Sequence, residues 1–242
     1  MKYGQLSLGA VENLLCAGHA AVGMGALLYT SSMLIALSCA AGVSALLAIA
    51  ADWDERRHKS FYLLKPLTTL LIAGIAAAAT PAAAAYQQWI LLALAWSLAG
   101  DVCLMFKGRR WFVAGLAGFL LAHLALVAAF LQNVTMTALP AWLAAVVVYA
   151  GGLLFVLLPR TGPLKLPVLI YCLVLAAMVF AAAARHESLE SAKAMLALAG
   201  ALLFMLSDSL LGVRQFVRRY AYAQALILST YWLAIGLIAW SV

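Results

Sequence analysis

Charge is scarce in this sequence: of its 242 residues only 10% are Asp, Glu, Lys or Arg, whereas 67% are hydrophobic. A soluble domain carries about 25% charged residues, so this composition excludes a soluble domain for most of the chain. The sequence has no C-x-x-C pair among its cysteines, so it indicates neither a cysteine zinc site nor a disulfide framework. The cysteines are Cys16, Cys39, Cys103 and Cys172. The serine-hydrolase elbow, the zinc-protease helix and the phosphate-binding P-loop are also missing. We therefore expect no metal site and no cofactor.

Hydrophobic runs dominate what is present. Runs of about 20 apolar residues, the length of a membrane-spanning helix, recur along the whole sequence. They predict an all-α, polytopic membrane helical bundle that forms a single transmembrane domain over 1–242. We expect eight core helices and an extra N-terminal helix within 1–30, where Glu12, Asn13 and His19 leave the crossing of the membrane open. The segments fall at 6–29, 31–51, 61–80, 87–106, 111–131, 138–158, 164–184, 192–213 and 221–241.

Positive charge is confined to every second connection. Twelve of the fifteen Lys and Arg residues lie in or next to 52–59, 107–110, 160–165 and 214–219. The positive-inside rule places these connections in the cytoplasm, and we expect a bacterial inner membrane. The same rule explains the net charge of +7 without a nucleic-acid partner.

Two stretches with an intramembrane aspartate indicate an internal repeat. Asp101 in "LAGDVCLMF" and Asp208 in "MLSDSLLGV" both fit [Gly/Ser]-Asp-x-x-Leu, near a segment end and before a basic loop. Pro66 in "LLKPLTTLLI" aligns loosely with Pro167 in "GPLKLPVLIY". In each case the matching segments are four helices apart, which predicts two parallel four-helix halves, 31–158 and 164–242.

Both aspartates lie about six residues, or about 9 Å, before the next basic residue, so the repeat places them at the same depth. We expect the carboxyl groups to face each other across the bundle. Low dielectric and a neighbouring carboxylate favour a pair with one protonated and one ionised member, which suits general acid and base work. Taken singly, either aspartate could instead pair with Lys107, Arg109 or Arg214 in the adjoining loop.

Other polar side chains are predicted near the aspartates. They outline a polar cavity that opens toward the cytoplasmic leaflet, although each alone is also explained by interhelical hydrogen bonding. Lys65 is suited to hold a phosphate head group, or alternatively to anchor its helix at the positive-inside surface. The candidate substrate-binding residues are Lys65, His123, Tyr171, Ser207, Gln224 and Tyr231.

Six blocks of the chain resemble, in order, those of the YhhN family of lysoplasmalogenases. The paired G-D and S-D blocks are the most specific, and the resemblance covers nearly everything from about residue 31 onward. The blocks are "KPLTTLLI" (65–72), "SLAGDVCLMF" (97–106), "GFLLAHLALV" (118–127), "PVLIYCLVLAAM" (167–178), "GALLFMLSDSLLGV" (200–213) and "STYWLA" (229–234).

The resemblance implies an eight-helix membrane enzyme that hydrolyses the vinyl ether bond of lysoplasmalogens of the ethanolamine or choline type. It implies Asp101 and Asp208 as the catalytic pair and a lysophospholipid substrate within the bilayer lipids. The family's last block usually continues with Ala-Gln, whereas here Ala234 is followed by Ile235, so the glutamine is lost or is replaced by Gln224. The N-terminal segment also lies outside the family pattern.

Vinyl ether chemistry fits two carboxyl groups without a cofactor. Hydrolysis proceeds by protonation of the β-carbon, and a protonated aspartic acid could supply that proton. The second carboxylate could stabilise the oxocarbenium ion and deprotonate the attacking water. The sequence does not distinguish which aspartate is the acid. The main rival is a proton-coupled transporter of small molecules or lipids that uses the same aspartates. A non-catalytic lipid-binding protein is a third reading.

Overall fold

The computed structural model describes residues 8–53, 58–81, 83–135 and 140–242, with side chains described from residue 30 onward except 53 and 58. Within these ranges the regular structure is helical, and two short 3-10 turns, Leu158–Arg160 and Gly162–Leu164, join the fifth and sixth helices. The helices are α1 (Leu8–Trp53), α2 (His58–Ala78), α3 (Ala84–Met105), α4 (Arg109–Phe130), α5 (Leu143–Leu157), α6 (Lys165–Leu189), α7 (Ala192–Phe216) and α8 (Ala223–Trp240).

Membrane-spanning length is the common property of these helices. Over the described residues, eight segments of 18 to 28 residues are long and apolar enough to cross a membrane. This confirms the predicted polytopic helical bundle. The α1–α2, α3–α4, α5–α6 and α7–α8 connections carry the basic residues, and we call the end of the bundle where they lie the basic end.

The loop predicted between the first two segments, at about residue 30, is absent because one helix runs through it. The N-terminal segment predicted at 6–29 begins outside the described residues, but its backbone is helical from residue 8 and continues into the segment predicted at 31–51. Ser31 and Ser32 do not interrupt α1, since serine costs a helix far less than glycine or proline and its hydroxyl can bond to the carbonyl four residues earlier. Ser38 of the same helix makes such a bond, 2.8 Å long, to the carbonyl oxygen of Leu34.

The segment predicted at 61–80 places Pro66 near a helix start, where proline is tolerated, and this expectation is also wrong. Because α2 begins at His58, Pro66 lies in its interior, one residue after Lys65. Proline lacks the N–H that would bond four residues back, so one hydrogen bond of the helix is lost here. The helix nevertheless continues to Ala78.

Six of the helices pack into a closed ring, each against the next, in the order α2, α3, α4, α6, α7, α8 and back to α2. Helix α1 packs on α2 and α8, and α5 packs on α6 and α7. The predicted halves do not contain four helices each, because 31–158 reaches from α1 to α5 and 164–242 contains α6, α7 and α8. The helix contacts instead relate α1–α4 to α5–α8. Helix α2 contacts α3 and α8, and α6 contacts α7 and α4, so each contacts the following helix of its own half and the last helix of the other half.

Candidate functional site

Asp101, on α3, is held by donors from two neighbouring helices. Lys65 Nζ lies 3.1 Å from Oδ1 of the Asp101 carboxylate and donates to the carbonyl oxygen of Asp101 at 3.2 Å. Thr69 and Tyr231 each donate a hydroxyl hydrogen to Oδ2 at 2.8 Å. Trp232 Nε1 in turn donates to Thr69 Oγ1 at 3.4 Å. Asp101 and Lys65 are both buried, and the ammonium group together with two hydroxyl donors stabilises a carboxylate at this position.

The backbone at Asp101 is fixed by a close approach of α3 to α4. A Cβ added to Gly118 would lie 3.0 Å from the Gly100 nitrogen and 3.1 Å from its Cα. A Cβ on Gly100 would come within 2.8 Å of the Phe119 ring. Because only glycine leaves this space, the two residues let the backbones of α3 and α4 touch at the residue before Asp101.

Asp208, on α7, has different neighbours. Tyr171 of α6 donates its hydroxyl hydrogen to Asp208 Oδ2 at 2.5 Å. His123 Nε2 of α4 lies 3.5 Å from the same oxygen, and neither ring nitrogen of His123 has a hydrogen-bond partner in the described part of the chain. The His123 ring packs edge-on against Tyr171 and Phe204, with centroids 5.3 and 4.6 Å away. Among the described residues, no Lys or Arg forms an ion pair with Asp208.

Both carboxyl groups line one cavity of about 1010 Å³. It is formed mainly by α2, α3, α4, α7 and α8, and its lining extends to residues of the loops at the basic end. Within the described ranges no hydrogen bond joins the two carboxyl groups, so they share the cavity without being bonded to each other. The lining includes five basic residues: Lys65, which pairs with Asp101, and Lys107, Arg109, Arg214 and Arg219.

The α7–α8 connection forms part of the cavity mouth. Arg214 donates to the side-chain oxygen of Gln224, and both residues line the cavity. Tyr220 donates its hydroxyl hydrogen to the carbonyl oxygen of Leu210 at 3.1 Å. Burial raises the pKa of the Tyr220 phenol, while the nearby charge of Arg214 acts in the opposite direction. Tyr220 therefore stays neutral beside the basic residues.

The residues predicted from the sequence gather around the two aspartates in two different ways. Lys65, Ser207, Gln224 and Tyr231 line the cavity, with the Ser207 hydroxyl donating to the Ile227 carbonyl at 3.0 Å. His123 and Tyr171 lie behind Asp208 and contact it instead. The sequence therefore located these residues near the aspartates but did not distinguish the two sets.

Lys65 lies deeper in the bundle than the surface position that the sequence predicted. Its ammonium group is buried in the ion pair with Asp101, whereas a phosphate ligand at the surface needs a lysine that reaches the mouth. Because α2 begins at His58 and not at the predicted residue 61, Lys65 lies about two turns inside the helix.

Two groups of site residues were missed. Thr69 was not assigned to the site, although its spacing of four residues from Lys65 places both side chains on one face of α2. Arg219 was counted only as a loop charge, and Arg109 only as an alternative ion-pair partner of an aspartate, although both line the cavity. Among the described residues, no group of three His, Cys, Asp or Glu side chains could hold a metal ion.

Comparison with known proteins gives matches over most of the chain. The sequence model of the YhhN family matches residues 60–242. Lysoplasmalogenase TMEM86B of Homo sapiens is 34% identical over 192 residues, which cover 78% of this chain and 79% of the human protein. Lysoplasmalogenases of Mycobacterium bovis and Mycobacterium tuberculosis are each 35% identical over 139 residues, or 54% of this chain and 51% of theirs. No solved structure matches the chain significantly.

Proposed function

The chain belongs to the YhhN family, and from this premise we propose that it hydrolyses the vinyl ether bond of lysoplasmalogens. The substrates would be lysoplasmalogens of the ethanolamine or choline type, and the products a fatty aldehyde and the glycerophospho head group. The names of the relatives support the reaction. By the positive-inside rule, the mouth of the cavity faces the cytoplasmic side of a bacterial inner membrane.

One observation carries the proposed mechanism: of the three aspartates that line the cavity, Asp52, Asp101 and Asp208, the two intramembrane ones of the repeat, Asp101 and Asp208, lie in unlike surroundings. Asp101 is paired with Lys65 and takes two hydroxyl hydrogen bonds, which suits a permanent carboxylate. Asp208 accepts one hydrogen bond from Tyr171 at Oδ2. No hydrogen bond or ion pair to Oδ1 is present among the described residues, so this oxygen is available to carry a proton. We assign Asp208 as the general acid.

The first step is transfer of the Asp208 proton to the β-carbon of the vinyl ether. The π electrons of the double bond form the new C–H bond, and an oxygen lone pair stabilises the resulting oxocarbenium ion. Asp101, negative and fixed in the same cavity, stabilises this cation electrostatically. The Asp101 carboxylate does not have to move for this, because Lys65, Thr69 and Tyr231 already hold it in position.

Water then adds to the cationic carbon and gives a hemiacetal, while the Asp208 carboxylate accepts the released proton. Asp208 next protonates the glycerol oxygen, and the carbon–oxygen bond to glycerol breaks. The hemiacetal hydroxyl proton returns to Asp208 as the aldehyde forms. One water is consumed, and the enzyme regains its starting protonation state.

Aldehyde release from purified protein supplied with lysoplasmalogen tests the proposal. We expect hydrolysis by the wild type that is slower in D2O, because proton transfer to carbon limits the rate. Asp208→Asn should lose roughly 10²–10⁴-fold in kcat, the range for a general acid. Glu187→Gln, an exposed carboxylate of α6 outside the cavity, is the matched control and should keep full activity. Near wild-type aldehyde release by Asp208→Asn would refute the assignment.

A transporter is the second candidate, and one observation favours it. Pro66 interrupts the hydrogen bonding of α2 beside the buried Lys65–Asp101 pair, as in the broken helices of carriers. Proton-dependent uptake of a solute by liposomes containing the protein, without aldehyde release, would support this function over hydrolysis.

A further inference from the structure

A second cavity meets the first at Asp208. It is a narrow cleft of about 40 Å³ between α4, α5, α6 and α7. Three residues, Phe112, Asp208 and Leu211, line both the cleft and the large cavity. The proposed acid therefore lies where a polar chamber and an apolar one join.

The cleft offers almost no polar group to a ligand. Its walls are mainly aliphatic and aromatic side chains, such as Leu153, Leu157 and Leu175. Of its polar residues besides Asp208, Tyr171 already donates to Asp208, and Ser209 donates to the Met205 carbonyl at 2.7 Å. An apolar chain is the ligand that such a wall accepts without leaving polar groups unpaired.

From this junction we propose that the cleft holds the first carbons of the substrate's alkenyl chain. The proposal rests on the proposed function. In a lysoplasmalogen the vinyl ether lies between the polar glycerophospho group and the hydrocarbon chain. A substrate with its head group in the large cavity and its chain in the cleft therefore has its β-carbon beside Asp208.

The wall formed by α5 determines how much of the chain fits. Helix α5 lies outside the six-helix ring, and its outer face is exposed, with Phe155 83% accessible. The space beside Asp208 is only slightly larger than the volume of one water, so it takes the start of the chain alone. The rest of the chain then continues between α5 and the ring toward the lipid.

Gly212 provides a way to narrow the cleft. A Cβ added there would lie 3.1 Å from Leu157 Cδ1, on the opposite wall, and nothing else within 4 Å but Leu157 Cδ2. Gly212→Val should therefore fill the cleft without meeting any backbone. Gly151→Val in α5 is the matched control, since a Cβ at Gly151 meets nothing within 4 Å.

Two substrates distinguish an effect on binding of the chain from an effect on binding of the head group. The first is a long-chain lysoplasmalogen, and the second carries the same head group on an ethenyl ether, which has no carbon beyond the vinyl group. We expect Gly212→Val to lower kcat/KM for the long-chain substrate by about tenfold or more, the discrimination that one methylene gives in an apolar pocket. The ethenyl substrate should be unaffected, and Gly151→Val should change neither. Equal losses on both substrates, or no loss on either, would overturn the proposal.

A binding measurement tests whether the chain lies in the cleft independently of whether the protein hydrolyses lysoplasmalogens. A non-cleavable alkyl ether lysophospholipid with a diazirine on the third chain carbon is photolysed with the wild type and with Gly212→Val. Labelling of α5 and α6 in the wild type, reduced in the variant, supports the cleft even if no lysoplasmalogen is hydrolysed. Labelling confined to α2 or α8 would overturn it while leaving the hydrolase proposal intact.

Discussion

Lys65→Met is expected to destabilise the protein by about 3–5 kcal/mol, the cost of removing one partner from a buried ion pair. The substitution leaves the Asp101 carboxylate inside the bundle with only the Thr69 and Tyr231 hydroxyls as donors. For a protein of this length about 2–4 °C of Tm corresponds to each kcal/mol, so Tm should fall by about 6–20 °C. Leu63→Met, on the exposed face of α2, is the matched control and should leave Tm almost unchanged.

The double variant Lys65→Met/Asp101→Asn decides whether the pair is the cause. Asp101→Asn alone leaves the Lys65 ammonium buried with one backbone carbonyl, so it should also lose about 3 kcal/mol. In the double variant no charge remains, and the asparagine oxygen can still accept from Thr69 and Tyr231. We expect the double variant to be more stable than either single variant by about 2 kcal/mol.

Thermal unfolding in detergent, followed by circular dichroism, measures these differences. A double variant less stable than both single variants would refute the ion-pair reasoning, since the two losses would then be independent. Aldehyde release adds a second readout. If Asp101 stabilises the oxocarbenium ion, the double variant should fold but lose roughly 10²-fold or more in kcat.

Three further substitutions test other parts of the site. Tyr171→Phe removes the donor to Asp208 and should lower kcat about tenfold with KM unchanged, measured by steady-state aldehyde release; an unchanged kcat would contradict the contact. Gly118→Ala should cost about 1–3 kcal/mol by overpacking against the α3 backbone, whereas Gly151→Ala should cost nothing; equal Tm values would argue against close approach. Arg219→Gln should raise KM for lysophospholipid, weaken its salt dependence and leave kcat unchanged, and an effect on kcat alone would contradict a place at the mouth.

The sequence predicted the membrane bundle because hydrophobic runs and alternating charge are local properties of the chain. Runs of about 20 apolar residues specify spanning helices whatever their neighbours, and the structure confirms eight of them over the described residues. Helix boundaries were less accurate where the signal was weak. The serines at 31 and 32 did not end α1, and the start of α2 was placed too late, which misplaced Pro66.

The two aspartates could be singled out from the sequence because an ionisable residue in an apolar run is rare and needs a reason. Their repeat context also indicated a shared depth. That both line one cavity follows only from the packing of α3 and α7 in the same ring.

What each aspartate contacts was decided by the tertiary structure alone. Lys65 pairs with Asp101 because α2 lies beside α3, and Tyr171 reaches Asp208 because α6 lies beside α7. Such partners are 36 and 37 residues apart in the chain, and no local pattern encodes which helix faces will meet. The sequence by itself determined a membrane bundle with two intramembrane acids, and helix packing made one an ion-paired carboxylate and the other the candidate acid.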